Sequence, residues 1–259
     1  MKVVIDKNYE KYRTLMNRIP SDGVHINYTF CNNRNWVYLI DTGDGAKWVV
    51  KKFKRPTLAN CAIYTWFRMN KAKRSFLYAY GLQHEGINTA RPIAYIEINK
   101  YGFFHTGYYI SEYLPYKRLD SIDIKGNEQA EKDFLSFAEQ LFEKGIVNYD
   151  LNPSNILIHQ RDDGTYLFSL VDINRIRFKV TNWRKHVHAF LKCISFGAET
   201  ENKSQTLFKM NILSEYCIEC GINLFRAAIN IHLYREYKTA INVLHRLLKK
   251  IIAFVLKKK

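Results

Sequence analysis

The sequence predicts an α+β chain folded as two lobes, a small antiparallel sheet followed by a mainly helical half. Three observations carry that expectation. Short runs bounded by Asn, Asp and Gly recur as far as residue 112, the pattern of successive hairpins. From Asn127 onward the apolar residues fall at helical spacing instead. Between them and the C-terminal helices lies GIVNYDLNPSNILIHQRDDGTYLFSLVDINR, residues 145–175, where carboxylates and amides are spaced as chemistry requires. The expected division is an N-lobe over 1–115 and a C-lobe over 116–259.

A chain of 259 residues with 47% apolar side chains has enough material for a sizeable core, which excludes a disordered protein. Five scattered cysteines, an odd number, make no disulfide framework and point to a reducing compartment. Cys217 and Cys220 form a lone pair in a helix-like stretch, which reads as packing rather than zinc or redox chemistry. The start, MKVVIDKNYEKY, has no apolar leader core, and no uncharged apolar run approaches the ~20 residues of a spanning helix, so neither secretion by that route nor a transmembrane segment is expected. The formal charge of +16 calls for polyanionic partners or an anionic membrane surface. Nucleic-acid binding would rest on charge alone and is not expected.

Taken in order, a short amphipathic lead precedes a strand over Gly23–Phe30. The turn Cys31-Asn32-Asn33-Arg34-Asn35 leads to a strand over Trp36–Asp41, and Thr42-Gly43-Asp44-Gly45 turns into a third over Lys47–Lys54. Alternation sends Lys51 and Lys52 to opposite faces, so that one reaches a cleft while the other meets water. Asn tolerates φ > 0, which lets the amides around Asn33 cradle phosphate with Arg34 adding charge; an ordinary polar turn is the competing reading. Leu58–Asn70 and Lys71–Leu82 read as helices, and Pro92–Ile98 with Phe103–Glu112 as a further hairpin. Glu112-Tyr113-Leu114-Pro115 is an extended segment whose backbone at Glu112 and Leu114 could pair with a base.

Asn127–Lys144 is the next helix, stopped by Gly145. Asp150 and Asn155 then lie on a Pro-containing loop. Ile156–Gln160 and Tyr166–Val171 are two strand-like arms joined by residues 161–165, and with Asp163-Gly164 as the central pair of the turn Asn155 stands opposite Asp172. An amide oxygen beside a carboxylate suits a hard cation such as Mg²⁺. Asp150, a loop's length upstream, is placed to take a proton from a hydroxyl. Arg175 and Arg177 follow Asp172 and could read an anionic acceptor, Arg177 serving equally as a solvated strand charge. Residues 181–259 are helical in pattern with a soft break at Ala198–Ser204. The last helix lines up Ile241, Leu244, Leu248, Ile251 and Val255 beside several lysines, which suits either an anionic membrane surface or a core-packed terminal helix.

The order Asp-Leu-Asn-Pro-Ser-Asn-Ile-Leu-Ile, then Leu-Val-Asp-Ile, resembles the catalytic and metal-binding loops of protein-kinase-like phosphotransferases. From Phe30 to Arg177 the features follow the Kdo/WaaP family of bacterial lipopolysaccharide core kinases: an Asn-Arg-Asn turn, a Val-Val-Lys strand, Lys-Ala-Lys-Arg-Ser, Gly-Ile-Asn-Thr-x-x-Pro, Asp-x-x-Pro-x-Asn and Asp-x-Asn-Arg. The resemblance implies a bilobal protein-kinase-like fold and ATP-dependent phosphorylation of a Kdo or heptose hydroxyl. The acceptor would be a lipid-linked, anionic saccharide at the cytoplasmic face of the inner membrane, with peripheral membrane contact. Asp150 would match the catalytic aspartate, Asn155 and Asp172 the Mg²⁺ ligands, Lys51 the phosphate lysine, and residues 112–115 the adenine hinge. The chain departs from the pattern where Asn-Asn-Arg-Asn replaces a Gly-rich turn, where Leu77 occupies the expected place of a helix glutamate, and where Asn152 replaces a lysine. A pseudokinase that binds nucleotide without turnover, or a kinase for another small molecule or a protein, are the alternatives.

Overall fold

Alternating burial along Trp36–Asp41 and Lys47–Lys52, with Tyr38, Ile40, Trp48 and Val50 buried, makes these segments the middle of a sheet rather than its edge. In the computed structural model, which describes residues 1–21, 23–194, 203–233 and 237, six antiparallel strands form that sheet. They are β1 (Lys2–Ile5), β2 (Ile26–Asn32), β3 (Trp36–Asp41), β4 (Lys47–Lys52), β5 (Pro92–Lys100) and β6 (Phe103–Glu112), in the order β1-β5-β6-β4-β3-β2. β1 lies in what reads from sequence as an amphipathic lead. Its four residues pair with Ala94–Glu97 of β5 and close that edge of the sheet.

The two faces of the sheet bury different partners. Met16 of helix α1 (Arg13–Arg18) and Ile19 after it pack with Tyr38, Ile40, Trp48, Val50 and Ile110 on one side. On the other, Ala72 and Phe76 of α3 (Lys71–His84) meet Phe53, Tyr95 and Tyr109. Between β4 and α3 lies α2 (Leu58–Trp66), shorter than the expected Leu58–Asn70. The chain leaves the helix where the Phe67 and Arg68 N–H groups both go to the Ile63 carbonyl, and the buried Asn70 becomes the cap of α3, its side chain accepting from Lys73 N at 3.0 Å.

Helix α4 (Glu128–Glu143) is capped by the Asn127 side chain and, as expected, stopped by Gly145. The bonds Gly145 N to Phe142 O and Ile146 N to Leu141 O require φ +61° at residue 145, and a Cβ there would stand 3.1 Å from Val180 N, so only glycine fits. The rest of this half comprises β7 (Lys117–Arg118), β8 (Val147–Asn148), β9 (Ile156–Gln160), β10 (Tyr166–Leu170), β11 (Ile176–Arg177), α5 (Trp183–Ile194), α6 (Lys203–Glu219) and a helical run over 224–233. Phe134, Phe137 and Leu141 of α4 join Phe168, Phe190 and Tyr216 in its core, which also takes in Ala79 and Leu82 of α3. Thr89 clasps the hairpin to the N-terminal half, its Oγ1 donating to Leu170 O at 2.7 Å while Leu170 N donates to Asn88 O.

The hairpin arms fall as expected, but its register is one residue off. Tyr166 pairs with Gln160 and Leu170 with Ile156. Gly164 N donates to Arg161 O, so Asp162 and Asp163 are the central residues of the turn and Gly164, at φ +85°, is the left-handed residue after it. Asn155 therefore faces Val171, whose N–H donates to Asn155 O at 2.9 Å, and Asp172 lies one step beyond. The stripe from Ile241 to Val255 and the terminal lysines lie outside the described residues, as do residues 198–202 of the expected break. All five cysteines are free. Burial pushes the Cys217 and Cys220 thiols up to about 11 and about 12, in line with a packing role.

Candidate functional site

β4 delivers Lys51 to the α3 face of the sheet, opposite Tyr109 in register, while Lys52 turns to the other face and lies 5.6 Å from the Trp36 and Tyr108 ring centres. Beneath the sheet is a cavity of about 600 Å³ lined by Asn33, Arg34, Lys51, Glu112, Leu114, Asn155 and Asp172 among others. The Lys51 ammonium meets the Asp172 carboxylate at 2.6 Å, with the two side chains only 13% and 25% exposed. Most of the residues singled out in the sequence thus meet around one space. Asp150 and Arg175 are not in its lining; they stand beside it, 3.5 Å apart, Arg175 Nη1 to Asp150 Oδ1.

The loop before β9 holds its own shape. Asp150 N donates to Asn148 Oδ1 at 3.0 Å, and the Asp150 carbonyl accepts from both Asn152 Nδ2, at 3.0 Å, and Asn155 Nδ2, at 2.9 Å. Asn155 spends its amide nitrogen in that bond, which leaves its side-chain oxygen as an acceptor. Asp172 has φ +52° and ψ +50°, a left-handed backbone uncommon outside glycine, and Asn174 Nδ2 donates to its Oδ1. No sequence signal short of the Asp-x-Asn order marked this conformation.

Of the two other edges of the cavity, the β2–β3 turn differs from expectation. At the β2–β3 turn no Asn has a positive φ, so the nest of amides does not form there, although Asn33 and Arg34 do line the space. At 112–115 the Glu112 N–H goes to Arg91 O and the Tyr113 N–H to Lys47 O, which leaves Leu114 N–H without a hydrogen-bond partner among the described residues. The Glu112 carboxylate is occupied by Tyr9 OH at 2.7 Å and by Arg91 at 3.7 Å. The carboxylate and that hydrogen bond raise the Tyr9 hydroxyl's pKa further, after burial.

α3 presents no acid to the cavity. Leu77, expected in the place of a glutamate, is 41% exposed on the far side; the α3 residue in the lining is Ser75. Lys71, one turn earlier, has its pKa lowered by burial and by the neighbouring Arg34 and Arg175 charges, with Asp172 opposing. Arg74 is buried, 4% exposed, and its Nε has no hydrogen-bond partner among the described residues; burial and Arg68 lower its pKa. The basic character of this helix is legible in the sequence, where Lys71 and Arg74 are three apart and so share a face; the burial of Arg74 is not.

Over 90% of its length the chain superposes on all of a solved structure of WaaP in complex with acyl carrier protein, at 13% identity and a TM-score of 0.57. The fold is protein-kinase-like. Two structures of Rio2 kinase from Chaetomium thermophilum, one of them an ADP/Mg²⁺-phosphoaspartate complex, are also similar, at 14% identity with TM-scores of 0.47 and 0.49; 89% and 87% of this chain and 76% of each of those are covered. No family model matches the sequence, and no match is found among curated proteins. Among the described residues no helix is long and apolar enough to cross a membrane.

Proposed function

We propose that this protein is an ATP-dependent phosphotransferase acting on a saccharide hydroxyl, of the Kdo or heptose type found in the lipopolysaccharide inner core. The observation that carries the reading is the Lys51–Asp172 contact, where a strand lysine and a hairpin-end aspartate close one wall of a cavity that also holds the free Leu114 amide. Within the protein-kinase-like fold, residues 1–115 form the nucleotide lobe and 116–259 the acceptor lobe.

The donor set suits Mg²⁺. Asp172 offers a carboxylate and Asn155 an amide oxygen, both hard donors, and no cluster of three or more His, Cys, Asp or Glu stands among the described residues to make an all-protein cage. Mg²⁺ favours such sparse protein ligation, completing its shell with water and phosphates. Held by Asn155 and Asp172, it would supply charge neutralisation to the phosphates. Leu114 N–H pairs with the base of the nucleotide, and Lys51 balances phosphate charge from the sheet side. Asp150, braced by Asn148 and Asn155, orients the acceptor hydroxyl and accepts its proton, and Arg175 draws an anionic acceptor toward that carboxylate. The +16 charge and the crowding of Lys71, Arg34 and Arg175 favour an anionic, lipid-linked acceptor met at the cytoplasmic face of the inner membrane.

Labelled phosphate from Mg-ATP should pass to a Kdo- or heptose-containing lipid acceptor, and Asp150→Asn should lower turnover by about 10³-fold or more with nucleotide affinity retained. Undiminished turnover in that variant would remove the assignment. A second reading, a nucleotide-binding module without turnover, is favoured by the absence of any α3 carboxylate facing Lys51. It predicts saturable nucleotide binding and no transfer to any acceptor.

A further inference from the structure

Helix α2 is inside out. Cys61 is buried, Tyr64 packs edge-on against Phe104 with ring centres 5.7 Å apart, and Thr65 Oγ1 accepts from Phe104 N at 2.9 Å, so the small and polar side of the helix faces the sheet. Positions 58, 59, 62, 63, 66 and 67 lie on the opposite side, and they are Leu, Ala, Ala, Ile, Trp and Phe. Leu58 is 78% exposed, Trp66 63% and Phe67 83%. Trp66 meets Phe103 at 5.3 Å between ring centres, which joins this face to the tip of the β5–β6 hairpin, where Tyr101 is fully exposed. A surface helix ordinarily turns its apolar stripe to the core, and a continuous apolar face left outside marks a contact surface.

The charge around this face selects the occupant. Residues 45–84 carry nine Lys and Arg and no Asp or Glu, and Lys54, Arg55 and Arg68, which flank α2, are exposed. The carboxylate at this end of the sheet, Glu97, is bound to the buried Asn70 side chain. A second copy of a chain with charge +16 would be repelled, and so would residues 238–259 of the same chain, which hold seven Lys and Arg and no acid. An anionic lipid surface satisfies both features at once, since aromatic side chains settle at the headgroup level and each Lys or Arg near the surface gains from lipid phosphate. We propose that α2 and the tip of the β5–β6 hairpin dock this protein on an anionic bilayer. Trp66, Phe67, Leu58 and Ile63 enter the headgroup region, and Lys54, Arg55 and Arg68 pair with lipid phosphates. This deepens the membrane part of the function proposed above by naming the contacting surface, and it does not depend on the transfer chemistry.

The test uses the full chain and vesicles of phosphatidylcholine with or without phosphatidylglycerol. Wild-type protein should sediment only with the phosphatidylglycerol vesicles, and less so as salt is raised. Trp66→Ser combined with Phe67→Ser should weaken binding about tenfold or more, with an unchanged melting temperature. Trp66→Phe should keep the binding but lose the quenching of tryptophan fluorescence by lipids brominated on their acyl chains. Wild-type binding in the double variant, or full quenching in Trp66→Phe, would overturn the proposal by placing the contact elsewhere; so would equal binding to phosphatidylcholine alone. Nucleotide affinity, measured on the same variants, should not change. Failure to phosphorylate a sugar acceptor would leave the vesicle result standing, so the two proposals fail separately.

Discussion

The two walls of the cavity are built on opposite plans. The hairpin wall gathers the oxygen donors Asn155 and Asp172, with Asp150 beside them, and fixes the donor loop by side-chain-to-backbone bonds within itself. The α3 wall offers Ser75 to the cavity, with Lys71 beside Asp172 and a buried Arg74 behind, and no carboxylate. Lys51, which comes from the sheet between them, leans to the hairpin for its counter-ion. The contrast teaches that chemistry and electrostatic support have separated here. One wall gathers oxygen donors, and the other presents positive charge without a carboxylate.

The strongest way to break this comparison, after Asp150→Asn, is Asp172→Asn. It keeps a side chain that tolerates the left-handed backbone but leaves Lys51 without its partner, and turnover should fall about 10³-fold in a steady-state transfer assay. If the hairpin is not the reactive wall, the loss will be small. The α3 wall is tested through Arg74→Met, which replaces a buried cation whose Nε is unsatisfied with an apolar chain of similar length. Stability should rise by about 1–3 kcal/mol in denaturant unfolding, the desolvation cost of one such group. A smaller effect belongs to His186, buried with Nε2 2.9 Å from Val180 O, where burial holds the pKa below its ordinary 6.5. The unfolded chain binds this proton more readily, so stability is complete above pH 6.5 and declines as pH falls below it; His186→Gln should flatten that decline in melts taken across the window. The smallest effect is expected from Leu77→Glu. Because Leu77 is exposed on the far side of α3, the added acid should change turnover less than twofold and stability by no more than about 0.5 kcal/mol.

How much of this was readable in advance depended on whether a signal was local. The helix over 127–144, the Gly145 stop and the assignment of Lys51 and Lys52 to opposite faces follow from residue type and period, and they appear as expected. Each miss involves a choice that residue type leaves open. The 161–165 loop accommodates two turn registers, and the one adopted spares Asp163 the positive φ that a turn centred on Asp163-Gly164 would demand. The spacing of KAKRSFLY shows a helix but not its rotation, and it is Ser75 rather than Leu77, the place the resemblance gives a glutamate, that lines the cavity. The left-handed Asp172 and the free Leu114 amide exist only once distant strands have met. Of the hydrophobic pattern of α2, periodicity shows the stripe, while only the packing of Cys61, Tyr64 and Thr65 shows that the stripe faces out.

The placement of α3 bears on how such a protein can be controlled. Its first half packs under the sheet through Ala72 and Phe76, and its second half lies in the helical core through Ala79 and Leu82, with Gly81 pressed against Phe178. Tilting this helix outward would strip large side chains from two cores together, at a cost of about 2–5 kcal/mol for each one exposed. A swinging helix would therefore be a costly switch in this chain, and control at the cavity mouth would leave both cores intact.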